Sequence, residues 1–203
     1  MSMHRALVQA IASIPPISVS GLYHRVLAER NLDRALDGSR HGGRWGPADI
    51  FPVLYLTDHL DALIIEAYRH YGDPTEATPS PKPRRMVTIS CKVNVTRIFD
   101  LGTATARMQL GLTEAILYAE PDSQESYRSC SHIAQAAHQL GLHGILAPSS
   151  TGAAGAYTLV LFTDLLPEAE QPVRVGGVQR WSDELPADPR VLRIVTRSSE
   201  DGE

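Results

Sequence analysis

With cysteine at only positions 91 and 130 of 203 residues, the chain has no disulfide scaffold to lean on, and both thiols are expected to stay reduced. It also lacks a basic tract. Net charge is −4 and the pI about 6.1, so a phosphate backbone is not expected as its main partner. No apolar run reaches the roughly 18 residues needed to cross a bilayer, and residues 1–14 lack the long apolar centre of a signal peptide. A cytoplasmic protein with no membrane contact is expected. No Lys-Ser/Thr follows the glycine cluster at 42–46, so there is no Walker motif. The spacing of a dinucleotide fingerprint and the nucleophile elbow of a hydrolase are missing too. Eight histidines are scattered without a helical pair, so no metal site is expected. What remains is an ordinary globular composition, 43% hydrophobic and 21% charged, long enough for one domain with a sizeable core.

Residues 4–13 read as a short helix stopped by Pro15-Pro16, and residues 21–27 as a strand. The glycines and proline of 36–49 make a loop, and 51–57 is an apolar run of strand length. Asp58 is a candidate N-cap for a helix whose apolar stripe is Leu60, Leu63, Ile64, Ala67, Tyr68 and Tyr71, ended by Gly72. The four prolines of 73–85 exclude helix and central strand. Val87, Ile89, Cys91, Val93 and Val95 alternate with polar residues, the mark of a strand with one buried face, and this puts Cys91 in the core. Helices are expected over 105–119, weakened by Gly111, and over 126–140, ended by Gly141. Strands are expected at 144–147 and 157–162, with edge strands at 173–178 and 191–195 and a frayed end from Ser198. Without strict βαβ alternation, α+β is favoured over a doubly wound sheet.

Arg44, Tyr55 and Glu66 lie eleven residues apart, on a turn, a strand and a helix. Together they suit an anionic, aromatic, sugar-bearing ligand such as a dinucleotide. Arg44 follows two glycines, which let backbone approach a ligand, and its guanidinium fits phosphate; it could equally be a surface turn residue stacked on Trp45. Glu66 falls off the apolar stripe and is either a solvated partner of Arg69 or His70, or a carboxylate that stabilises a sugar cation. Tyr55 is a core aromatic or a stacking platform. Ser149 and Ser150 follow a strand end, where free hydroxyls suit an amide or phosphate. The Gly42-Gly43-Arg44 loop is expected to stay unburied, so that Arg44 can be exchanged without loss of the fold.

The order Tyr23-His24-Arg25-Val26, Gly42-Gly43-Arg44-Trp45, Val53-Leu54-Tyr55-Leu56-Thr57, Ala62 to Glu66, Gly141 through Ser149, and Leu159-Val160-Leu161-Phe162 resembles the RES domain over about residues 20–165. The chain departs from the usual family pattern at Gly46-Pro47, where a polar residue is common after the Arg-Trp pair. The resemblance implies a single domain like the ADP-ribosyltransferase fold of diphtheria-type toxins, at 21–165, with a helical extension over 1–20 and a C-terminal extension over 166–203. It implies a bacterial toxin that uses NAD as substrate, with no metal, and cleaves the nicotinamide–ribose bond by phosphorolysis or hydrolysis. Transfer of ADP-ribose to a protein is the alternative, and a silent module that binds a nucleotide or a partner is a second one. By the same resemblance Glu66, Arg44 and Tyr55 would be catalytic, and Arg25, Tyr23 and Ser149 (rather than Ser150) would bind substrate, the two arginines holding the pyrophosphate. The implied partner is an Xre-like antitoxin whose C-terminal segment covers the site, with DNA reached only through that antitoxin.

Overall fold

The computed structural model describes residues 3–71, 85–120 and 123–181, together with residues 186 and 189. The expectations for Gly72, most of the proline-rich segment, the strand at 191–195 and the frayed end fall outside these residues. The elements are α1 (Met3–Ala12), β1 (Ile17–Ala28), β2 (Val53–Thr57), α2 (Leu60–Tyr71), β3 (Met86–Asp100), α3 (Ala104–Gln109), α4 (Glu114–Leu117), α5 (Gln124–Gln139), β4 (Gly144–Pro148), β5 (Tyr157–Phe162) and β6 (Val173–Arg180). The architecture is α+β, as expected.

Six strands form one sheet in the order β1-β2-β5-β4-β3-β6, and β1 also pairs with β3 along nearly its whole length. The sheet therefore curls back on itself. β3 and β4 are parallel and the other pairs antiparallel. The weakest seam joins β1 to β2, through the single bridge His24–Thr57.

The paired strands β2 and β5 are largely apolar because both of their faces are covered. Val53, Val160 and Phe162 pack with α5 residues such as Ile133 and Ala137, and with Ile11 of α1. Leu54, Leu56, Leu159 and Leu161 meet Cys91, Val93, Val95 and Ile98 of β3 on the other side. β3 alternates as its sequence indicates from Cys91 to Thr96, but Met86 to Ile89 are buried on both faces. Its cover there includes Leu27 and Ala35. β6 is largely exposed, as an edge strand should be.

The single helix expected over 105–119 is two short ones. Gly111 takes φ +66, and Leu112 N–H donates back to Arg107 O at 2.9 Å, a left-handed C-terminal stop for α3. Thr113 then caps α4, its side chain accepting from Ile116 N–H. Asp58 is not the cap of α2: its Oδ1 accepts from Tyr157 N–H at 2.8 Å and ties the helix approach to β5.

Candidate active site

A cavity of about 340 Å³ opens where β1 and β2 part, between α2 and the start of α5. Its walls include His24, Arg25, Arg44, Tyr55, Thr57, Glu66, Arg69, Tyr127, Ser149 and Ser150. That volume lies within the range of small-molecule sites. Of the candidates from sequence, Arg25, Arg44, Tyr55, Glu66 and Ser149 meet here and Tyr23 does not. Tyr23 is 7% exposed and packs among Leu54, Leu56 and Cys91. Burial pushes its phenol up to about 12, with the charge of Asp58 adding to the shift.

The glycine turn is built around Tyr55. Gly43 and Gly46 exchange backbone hydrogen bonds, N–H to O, of 2.8 and 3.2 Å, closing a tight loop with Arg44 and Trp45 at its tip. Gly42 sits at φ +83, which favours glycine. A Cβ on Gly43 would stand 2.7 Å from the Tyr55 hydroxyl, and one on Gly46 3.1 Å from Val53 Cγ2. Close approach thus requires glycine at 43 and leaves little room for a side chain at 46. Trp45 N–H donates to Tyr55 Oη at 3.0 Å while its indole is buried in the core. Burial drives the Tyr55 pKa upward, so the phenol stays protonated, an acceptor for the turn and an aromatic wall for the cavity.

The turn aims Arg44 inward, against expectation. The residue is 9% exposed. Its Nη1 donates to Ile116 O at 3.0 Å, to Leu117 O at 3.3 Å and to Ser126 Oγ, and its Nη2 to Ala119 O at 2.6 Å. The guanidinium therefore closes the carbonyl end of α4 and fastens it to the first turn of α5. It also lies 5.4 Å from the ring centroid of Tyr127. Stacking on Trp45 at the surface is excluded by this placement. Arg25 likewise leans on backbone: Nη1 donates to Ala35 O and, at 3.3 Å, to Asp37 O. Burial lowers its pKa, opposed by Asp37 and Cys91.

Glu66 projects from the middle of α2, partly buried, while Ala62, Leu63, Ile65 and Ala67 face the core. Among the described residues lining the cavity it is the single carboxylate. Ser149 is 3% exposed; its N–H donates to Ala156 O at 2.9 Å and its hydroxyl lies 2.8 Å from Thr151 Oγ1. Ser150 also reaches the cavity, and its carbonyl accepts from Arg69 Nη1 at 2.7 Å.

Of the polar lining residues, His24, Thr57, Arg69, Tyr127 and Thr158 were not site candidates from sequence. His24 Nδ1 lies 3.0 Å from Ser90 Oγ, and burial lowers its pKa against the pull of Asp58, with His59 adding to the lowering. Arg69 was legible, since it follows Glu66 by three positions on a helix. Tyr127 carried no signal, because its place in the wall depends on how α5 docks.

A sequence model of the RES domain matches residues 22–193. Curated relatives named NAD(+) phosphorylase MbcT, from Mycobacterium bovis and two strains of Mycobacterium tuberculosis, are 28% identical over 154 residues, which is 74% of this chain and 79% of theirs. Among solved structures, the M. tuberculosis MbcT–MbcA toxin–antitoxin complex superposes with a TM-score of 0.72 at 23% identity, covering 90% of this chain and 95% of that one. At that identity the superposition speaks for the fold.

Proposed function

Because the chain belongs to the RES domain family, we propose that it is a toxin that destroys NAD by breaking the bond between nicotinamide and ribose, with inorganic phosphate as the acceptor. The observation that carries this is Glu66, the one carboxylate among the described residues lining the cleft, set among aromatic rings and hydroxyls. Ordinary glycoside cleavage uses two carboxyl groups, one of them an acid that protonates the leaving oxygen. Nicotinamide needs no such acid. Its ring nitrogen is cationic in NAD, and when the C1″–N bond breaks the electron pair neutralises it. The charge that must be stabilised appears on the ribose, and one fixed carboxylate does that. A phosphate oxygen then forms the new bond to C1″, giving ADP-ribose 1″-phosphate and neutral nicotinamide.

In this reading Glu66 faces the developing ribose cation. The rings of Tyr55 and Tyr127 bound the nicotinamide or ribose, and the Ser149 hydroxyl meets the carboxamide. Arg44 and Arg25 shape the walls rather than grip the pyrophosphate, since their guanidinium groups are engaged by protein carbonyls. Phosphate is preferred over water or a protein acceptor because the relatives are named NAD(+) phosphorylase. An unrestrained enzyme of this kind would empty the NAD pool of its own cell, so an antitoxin is the expected partner, as MbcT and MbcA form a toxin–antitoxin complex. The antitoxin of this chain would act by covering the cleft. Product analysis tests the reading. With NAD and phosphate, the purified protein should yield nicotinamide and ADP-ribose 1″-phosphate. Free ADP-ribose regardless of phosphate would mean hydrolysis, and label retained on protein would mean transfer.

A further inference from the structure

Three arginines among the described residues line the cleft, and they differ in what holds them. Arg44 and Arg25 donate to backbone carbonyls, together with the Ser126 hydroxyl for Arg44. Those neutral acceptors would be left unsatisfied if a ligand drew the guanidinium away, at about 1–3 kcal/mol each where they are buried. Arg69 is different. It lies three residues beyond Glu66 on α2, about 60° around the helix and roughly 4.5 Å along it, so carboxylate and guanidinium rise side by side. Nη1 donates to Ser150 O at 2.7 Å, which anchors the side chain beside the Ser149–Ser150 loop. Nη2 pairs with Glu120 Oε1 at 3.1 Å. The Arg69 side chain is 15% exposed and that of Glu120 69%.

This is the arrangement of a cation held ready by a removable anion. The guanidinium is anchored by one neutral acceptor and presents its other edge to a carboxylate that water already reaches. Because the Glu120 end of the pair is well exposed, water and salt screen it and the carboxylate is easily exchanged. A phosphate oxyanion carries more charge, matches the planar fork of arginine, and can take the same edge from within the cavity.

We propose that Arg69 is the phosphate-oxyanion subsite of this cleft, and that Glu120 occupies it until an anion displaces the carboxylate. The inference rests on reading the cleft as an NAD site and supplies the phosphate contact that Arg44 and Arg25 do not. The oxyanion is either the pyrophosphate of the dinucleotide or the inorganic phosphate acceptor, which share this chemistry.

Binding of inorganic phosphate and of pyrophosphate to the full chain, measured by calorimetry without NAD, tests the subsite independently of turnover. Arg69→Gln should weaken the better of the two at least about tenfold, the loss of one charge-assisted contact. Glu120→Gln should tighten it roughly threefold or more, by removing the competitor. Because Arg69 also steadies Ser150, the second variant is decisive: a purely structural Arg69 would give no tightening. In the NAD assay, Arg69→Gln should raise KM for phosphate alone if the acceptor binds there, and KM for NAD alone if the pyrophosphate does. Unchanged anion binding in folded Arg69→Gln, or no tightening in Glu120→Gln, overturns the proposal. A wild-type protein that binds the anion but leaves NAD intact would instead overturn the functional reading.

Discussion

Replacing Arg44 separates a scaffold role from a ligand role. Its guanidinium holds four acceptors in place: Ile116 O, Leu117 O, Ala119 O and Ser126 Oγ. Arg44→Ala leaves all of them without that donor. At about 1 kcal/mol for each lost partner the variant should lose about 4 kcal/mol. In a domain of this size 1 kcal/mol moves Tm by about 2–4 °C, so Tm should fall by roughly 8–16 °C. Arg44→Lys keeps the charge but cannot span the same fan of acceptors. About half of the contacts should survive, and Tm should drop by roughly 4–8 °C. Thermal unfolding of the three proteins is the assay, with KM for NAD determined well below the transition of each. If Arg44→Lys kept the wild-type Tm while KM for NAD rose tenfold or more, the guanidinium would be facing the ligand and the scaffold reading would be wrong.

Gly43→Ala should destabilise the turn by about 1–3 kcal/mol, because the added methyl meets the Tyr55 hydroxyl at 2.7 Å. Tyr55→Phe removes that hydroxyl and strands Trp45 N–H, so the double variant should cost less than the two single costs summed; strict additivity in urea unfolding would show that the turn and the ring are independent. Burial pushes both the Cys91 and the Cys130 thiols up to about 11. At pH 8 only about one thiol in a thousand should be thiolate, and native protein should resist a thiol reagent that modifies unfolded protein within minutes. Since these folded-state pKa values are raised, the stability they contribute is present below about pH 9 and should be lost as pH climbs toward 11; a stability profile flat across that range would contradict the burial argument.

What the chain reveals on reading follows the range of the interactions. β3 and α5 are written in local periodicity, and both form where the pattern puts them. The split between α3 and α4 was also local, since Gly111 and Thr113 hold a stop and a start within three residues, but the apolar pattern on either side reads straight through them. Arg44 shows where local reading fails. Two preceding glycines signal a turn, and the turn exists, yet the direction of the side chain is set by carbonyls more than 70 residues away. Tyr23 fails for a related reason: it is two positions from Arg25, but the curl of β1 over β3 puts it in the core. The spacing of Arg44, Tyr55 and Glu66 did carry information, because turn, strand and helix follow one another closely enough to share one cavity.

The central claim is that the Glu66 carboxylate drives loss of nicotinamide from NAD, and Glu66→Gln tests it with the least disturbance of shape. The variant should keep its Tm to within a few degrees, since the amide has the shape of the carboxylate and Glu66 borders the cavity rather than packing in the apolar core. Its rate of nicotinamide release in saturating NAD and phosphate should fall at least about 100-fold, on the order of the ~3 kcal/mol that one positioned electrostatic group supplies. A folded Glu66→Gln protein releasing nicotinamide within threefold of the wild-type rate would contradict the account.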